Sequence, residues 1–145
     1  MENILNDLLG DKIQGNNKAS PQKEITTKDE CATSLEKFAL TYFPETFFMP
    51  FNEVHREIFA SLEDMVLRKQ DRHNYFARAI PRRSGKSQIV SFLLPLWCIC
   101  YGYHKNILIV SETQDQSKNF CIGIKIELEE NERLQRDFGN LSLKT

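Results

Sequence analysis

The sequence predicts an α/β fold: a truncated parallel sheet with flanking helices, made of one βαβ unit and the helices that precede it. Three observations carry this. Asn74 to Ile80 is a mostly apolar run broken by Arg78, the pattern of a strand largely buried in a parallel sheet. Pro81-Arg82-Arg83-Ser84-Gly85-Lys86-Ser87 follows it directly and leads into the longest apolar run of the chain, Gln88 to Tyr103. Asn106 to Val110, Asn-Ile-Leu-Ile-Val, then supplies a second strand. Strand, loop, helix and strand form a unit whose connection should be right-handed.

The middle piece reads as a phosphate-binding loop, so the expected fold is of the P-loop NTPase type. The full pattern is G-x-x-x-x-G-K-[ST], and Ile80 stands where its first Gly would be. In such a loop a tight turn aims backbone N–H groups, here those of Ser84 to Ser87, at a triphosphate. Lys86 would reach the β and γ phosphates, and the Ser87 hydroxyl would be a ligand of Mg²⁺. A helix beginning there adds partial positive charge and unpaired N–H groups. Gly85-Lys86-Ser87 alone is a common tripeptide. Its flanks carry the reading against the alternative, a surface turn bearing two arginines.

The remaining elements follow in order. At 145 residues and 41% apolar content the chain is long enough for one domain with a core. Nineteen Lys plus Arg against twenty Asp plus Glu leave no global nucleic-acid signature. The four cysteines have no paired C-x-x-C spacing and read as free, largely buried thiols of a reducing compartment. Residues 1–30 read as a flexible leader: Gly10 to Lys28 is rich in Asn, Gln, Lys, Ser and Thr. Ile4, Leu5, Leu8 and Leu9 could make one amphipathic turn, with a docking peptide as the alternative. The start lacks the basic end and apolar core of a signal peptide.

Residues 31–145 are expected to form the domain. Ser34 to Tyr42 has Leu35, Phe38 and Ala39 at inward helical positions, and Pro44 and Pro50 break the chain into a loop containing Phe43, Phe47, Phe48 and Phe51. Asn52 is a good N-cap. Val54, Ile58, Leu62, Met65 and Val66 make Asn52 to about Gln70 an amphipathic helix. Arg68, Lys69, Arg72 and His73 read as a solvated helix end rather than a DNA contact. Gln88 to Tyr103 falls short of the about 20 apolar residues a bilayer span needs and suits a buried helix, which Pro95 should kink or divide and Gly102 should end. A last helix is expected from about Thr113 to Arg136. Phe120, Ile124 and Leu128 share one of its faces, and Glu127, Glu129, Glu130 and Glu132 lie largely on the others.

Three pieces, in this order and spacing, bring a family into view. They are Phe51-Asn52-Glu53-Val54-His55-Arg56-Glu57-Ile58, Ala79-Ile80-Pro81-Arg82-Arg83-Ser84-Gly85-Lys86-Ser87, and Ile107-Leu108-Ile109-Val110-Ser111-Glu112-Thr113 followed by Glu127 to Glu132 and Phe138-Gly139. From about residue 40 to residue 140 the chain resembles the N-terminal part of the ATPase domain of tailed-phage large terminase subunits, the motors that drive viral DNA into a procapsid. In that family Pro-Arg before Gly-Lys-Ser is common and the first Gly is often absent. The resemblance implies ATP and Mg²⁺ as ligands, held by Pro81 to Ser87, with Lys86 and Arg82 as catalytic residues. Arg82 would lie beside the γ-phosphate as an arginine finger does. His55 would lie near the adenine, where such helices often carry Gln. Arg83 stays open between phosphate, DNA, a neighbouring subunit and solvent. The implied partners are double-stranded viral DNA, the small terminase subunit, the portal protein and the remainder of the large subunit, in the cytoplasm of an infected bacterial host and without a membrane.

The second acidic motif of such motors, an apolar strand ending in Asp-Glu, has no counterpart: the nearest candidate ends Val110-Ser111-Glu112. The acid cluster of a nuclease domain is missing too. The chain is therefore expected to be the front of a motor, hydrolysing ATP only when completed, and poorly soluble alone because a cut sheet exposes an edge. A helicase-type P-loop ATPase and a non-catalytic partner-binding remnant are the alternatives.

Overall fold

Helices start in this protein where a side chain can accept from the otherwise orphaned first N–H groups. The structure, a computed structural model, describes residues 27–68 and 77–141. Ser34 accepts from the Lys37 N–H and opens α2 (Leu35–Tyr42), which follows the short α1 (Thr27–Ala32). The Glu63 carboxylate accepts from the Leu35 N–H at 2.6 Å, an anion at the positive end of α2. Asn52 opens α3 (Glu53–Leu67), and Thr113, accepting from Gln116, opens α5 (Gln114–Glu130). Between them runs the apolar helix, π-helical over Gln88–Leu93 and α-helical as α4 (Leu94–Tyr101). Gly102, in the left-handed region at φ 67°, ends it.

Pro95 accounts for the change of helix type. It has no N–H for the preceding turn and its ring crowds that turn; widening the turn to the π form accommodates both, so the expected division is a π-to-α transition one residue before Pro95. The single helix expected over Thr113 to Arg136 is also two, because Asn131 ends α5 and starts α6 (Glu132–Phe138). The Asn131 side chain accepts from Arg133 and Leu134 N–H and donates to the Tyr42 carbonyl at 3.1 Å.

The core gathers around the apolar helix. Leu93, Leu96 and Trp97 are fully buried among Leu35, Phe38, Tyr42, Ile58, Phe59, Leu62, Ile124, Leu128 and Leu134. Three ring donors bind this helix and its exit to the carbonyls of α1: Trp97 Nε1–H to Cys31 at 2.8 Å, Tyr101 O–H to Lys28 at 2.6 Å and Tyr103 O–H to Ala32 at 2.5 Å. A six-residue helix is marginal by itself. Here its carbonyls gain partners only in the folded protein. At the other end α6 clips onto α1 and α2: the Tyr42 hydroxyl donates to Asp137 at 2.9 Å, Lys28 Nζ donates to the Asp137 carbonyl at 2.6 Å, and Arg133 grips Glu45 through two 3.0 Å bonds. Arg136, with help from the Tyr42 hydroxyl and against partial burial, holds the Asp137 carboxyl below the usual range.

The expected P-loop NTPase-type parallel sheet is corrected by this structure. No strand occurs among the described residues. Ala77 to Ile80 and Asn106 to Val110, both expected as strands, lack a ladder, and residues 74–76 lie outside the described residues. Leu108 and Val110 are 88% and 81% exposed, the opposite of a buried strand. A helix satisfies its backbone internally, whereas a strand needs neighbours on both edges. Two parallel strands alone leave outer N–H and C=O groups unpaired and one face bare, which is why parallel sheets come with several strands and both faces covered. Asn106 to Val110 instead lies along the apolar helix, lining with Met65, Val66, Val90 and Leu94 a groove of about 480 Å³. α1 begins inside the stretch read as a leader, whose residues 1–26 lie outside the described ones. The same holds for Lys69, Arg72 and His73 of the basic cluster, while Arg68 caps α3 and pairs with Asp64. No helix among the described residues is long and apolar enough to cross a membrane.

Two outcomes are expected. Trp97→Phe removes the indole donor, leaving the Cys31 carbonyl unpartnered beside a small cavity, so urea unfolding should show a loss of about 2–4 kcal/mol. A loss below about 1 kcal/mol would show that the indole bond does not hold α1 in place. The thiols provide the second. Burial pushes Cys98 up from its ordinary 9.0 to about 11 and Cys100 to about 12. In the unfolded chain both lose their protons first, so stability is full below pH 9.0 and should fall as pH rises towards 11–12. A thiol reagent at neutral pH should modify exposed Cys121 quickly, half-buried Cys100 more slowly, and buried Cys31 and Cys98 only on unfolding.

Candidate functional site

The loop between Pro81 and Ser87 is shaped by two left-handed residues. Arg83 at φ 66° and Gly85 at φ 70° alternate with residues of negative φ, and Arg83 is the single non-glycine residue of positive φ among the described residues. Such alternation turns successive backbone N–H groups towards one side, making a concave nest for an anion. The Ser84 hydroxyl closes the turn by donating to the Pro81 carbonyl at 2.8 Å. Helical backbone begins at Lys86, and Ile89 N–H donates back to the Gly85 carbonyl at 3.1 Å. The nest therefore empties directly into a helix N-terminus, where the first N–H groups are unpartnered by the helix itself.

His55 ties the loop to α3. Its Nδ1 accepts from the Asn52 N–H at 3.2 Å while Asn52 Oδ1 accepts from the His55 N–H at 3.0 Å, a capping box with His in the place of the usual Glu or Gln. With Nδ1 accepting, the proton sits on Nε2, which donates to the Ser84 carbonyl at 2.8 Å. The ring edge also meets Phe51, 5.8 Å away centre to centre. One side chain thus caps a helix and holds the turn.

Two cavities flank the loop. The first, about 440 Å³, is lined by Thr46 to Asn52, His55, Arg83, Ser84, Gly85 and Ile89, and brings Phe47, Phe48 and Phe51 to one edge of the nest. The second, about 270 Å³, is lined by Ile58, Arg78, Ile80, Lys86, Ser87, Val90 and Ser91. Of the residues singled out from sequence, His55, Arg83, Ser84 and Gly85 meet at the aromatic cavity, and Lys86 and Ser87 at the cationic one. Pro81 and Arg82 are exposed and line neither. Sequence reasoning missed Arg78 and Ser91 as site residues. The signal for Arg78 was a charge inside an apolar run three residues before the loop.

Among the described residues that line the two cavities there is no carboxylate, although Glu57 pairs with Arg78 of the second. Among the described residues no group of three His, Cys, Asp or Glu could hold a metal by itself. Mg²⁺ carried on phosphates needs few protein oxygens, and the Ser87 and Ser91 hydroxyls fit that demand. The larger groove beside Asn106 to Val110 is mainly apolar and shares Val90 and Ser91 with the second cavity. Set against known protein families, curated proteins and solved structures, the chain matches none of them.

Gly85→Ala isolates the conformational demand of the nest. No atom lies within 4 Å of where the new Cβ would stand, so the whole effect comes from the left-handed φ. A loss of about 1 kcal/mol in chemical unfolding is expected. An unchanged midpoint would mean that the loop does not require this conformation.

Proposed function

We propose that the chain binds ATP with Mg²⁺ through Arg82 to Ser87 and forms the front of a DNA-packaging motor of the large terminase kind. The observation that carries the binding half is the alternating backbone from Arg82 to Gly85 leading straight into a helix whose first residues are Lys86 and Ser87. On this reading the N–H groups of Ser84 to Ser87 hold phosphate oxygens, Lys86 neutralises the β and γ phosphates, and Ser87 is a protein ligand of Mg²⁺. The base lies in the aromatic cavity, where Phe47, Phe48 and Phe51 offer ring faces and edges and His55 stands at the boundary with the nest. Arg82, exposed beside the loop, meets the charge that develops on the transferred phosphoryl group.

Hydrolysis transfers the γ-phosphoryl group to water and releases ADP. By the resemblance, the acid that orients that water belongs to the remainder of the large subunit. Double-stranded viral DNA, the small terminase subunit and the portal protein are the other proposed partners, and the cytoplasm of an infected bacterial host the proposed place. The motif order from Phe51 to Gly139 supports this part.

Calorimetric titration with ATP and Mg²⁺ tests the binding half. Saturable binding is expected, weakened about tenfold to a hundredfold in Lys86→Ala. Absence of binding by the wild-type chain at millimolar ATP would sink the proposal. The motor half predicts recovery of the chain with portal protein from infected cells, and recovery of neither portal nor small subunit would refute it.

A further inference from the structure

The cationic cavity contains a second positive side chain besides Lys86. Arg78 is held on the surface of α3 by two residues one turn apart, with Nη1 donating to Glu57 Oε2 at 3.3 Å and Nη2 to Ser61 Oγ at 3.2 Å. The Ser61 hydroxyl is itself anchored by donating to the Glu57 carbonyl at 2.8 Å. This grip places the guanidinium at the wall of the cavity that Lys86, Ser87 and Ser91 line, over an apolar floor of Ile58, Ile80 and Val90. Two cationic residues and two serines thus line one space of about 270 Å³, and among the described residues the nearby carboxylate is Glu57, on Arg78. Two cations with two hydroxyls able to donate match a polyanion.

The Arg78–Glu57 pair is poised for exchange. Its side chains are 43% and 58% exposed, so the ion pair is screened by water and weakly held. Phosphate oxygens offer the same planar fork a better partner, because the charge is larger and bidentate geometry suits guanidinium.

We propose that Arg78 is a phosphate-binding residue of this protein: it leaves Glu57 and grips the phosphate chain from the side opposite the aromatic cavity. The proposal rests on the nucleotide reading of the loop. It assigns the terminal phosphates to the space between Lys86 and Arg78, and makes the α3 surface a sensor of whether that space is filled.

Titration of the full chain with ATP·Mg²⁺ and, separately, with tripolyphosphate tests this, with the thermal melt of each variant read alongside. Arg78→Ala should weaken both ligands about tenfold. Arg78→Lys should weaken both by less, since a point charge replaces the fork. Glu57→Gln should tighten both by removing the carboxylate charge that competes with phosphate for the guanidinium. All three should melt close to wild type, because the pair is exposed. ATP binding tighter than tripolyphosphate identifies a nucleotide as the source of the phosphates; equal affinity identifies polyphosphate. Unchanged tripolyphosphate affinity in Arg78→Ala overturns the proposal, and leaves the loop reading intact if Lys86→Ala still loses binding. A fall in affinity that tracks a collapsed melt and is not restored by Lys also overturns it, as a structural effect. Absence of any binding by the wild type overturns the loop reading and this proposal together.

Discussion

The helix that leaves the loop is apolar on nearly every side, and the protein is arranged to cover it. Leu93, Leu96 and Trp97 have no exposed surface, so α2, α3, α5 and α6 must each present an apolar stripe to it. Rings near its C-terminal end carry polar atoms into that core. Trp97, Tyr101 and Tyr103 resolve the difficulty by donating to the backbone of α1, which in turn needs partners for its own carbonyls. Neither side of this exchange is satisfied alone. Burial of the helix and existence of α1 are therefore one cooperative event.

The same anchoring positions the loop. A helix fixed along most of its length has a fixed N-terminus, and the nest from Arg82 to Gly85 is the segment that joins it to the surface of α3. His55 completes the connection by capping α3 and donating to Ser84. The two cavities arise at this seam because the aromatic loop after α2 packs on one side of the nest and the α3 ridge on the other. Rigid packing below and exposed, exchangeable charges above suit a binding site: the scaffold holds backbone donors in place while Arg78 remains able to change partner.

Local signals were legible in the residues. Ser34, Asn52 and Thr113 are caps because their oxygens reach N–H groups three residues on, and nothing distant alters that. Leu35, Phe38 and Ala39 fall on one helical face by spacing alone, and all are buried. Asn131 was less legible: its place inside a helical pattern hides a side chain that finds the Tyr42 carbonyl 89 positions away in sequence. The loop between Pro81 and Ser87 was visible by composition, but its division between two cavities was not. Which neighbours meet Lys86 and which meet Gly85 depends on the packing of α3 and of the Phe47–Phe51 loop.

By itself the sequence determined the cap at Asn52, the buried face of Leu35, Phe38 and Ala39, and the helix end at Gly102, since each depends on contacts within a few residues. The tertiary structure decided the fate of Ala77 to Ile80 and Asn106 to Val110. An apolar run has the composition of a buried strand whether or not a neighbour exists to pair with it, and hydrogen bonds between strands are not encoded in either strand separately. It also decided that Arg78, read along the chain as an interruption, stands beside Lys86. Convergence of charges from separate elements is a property of how those elements pack.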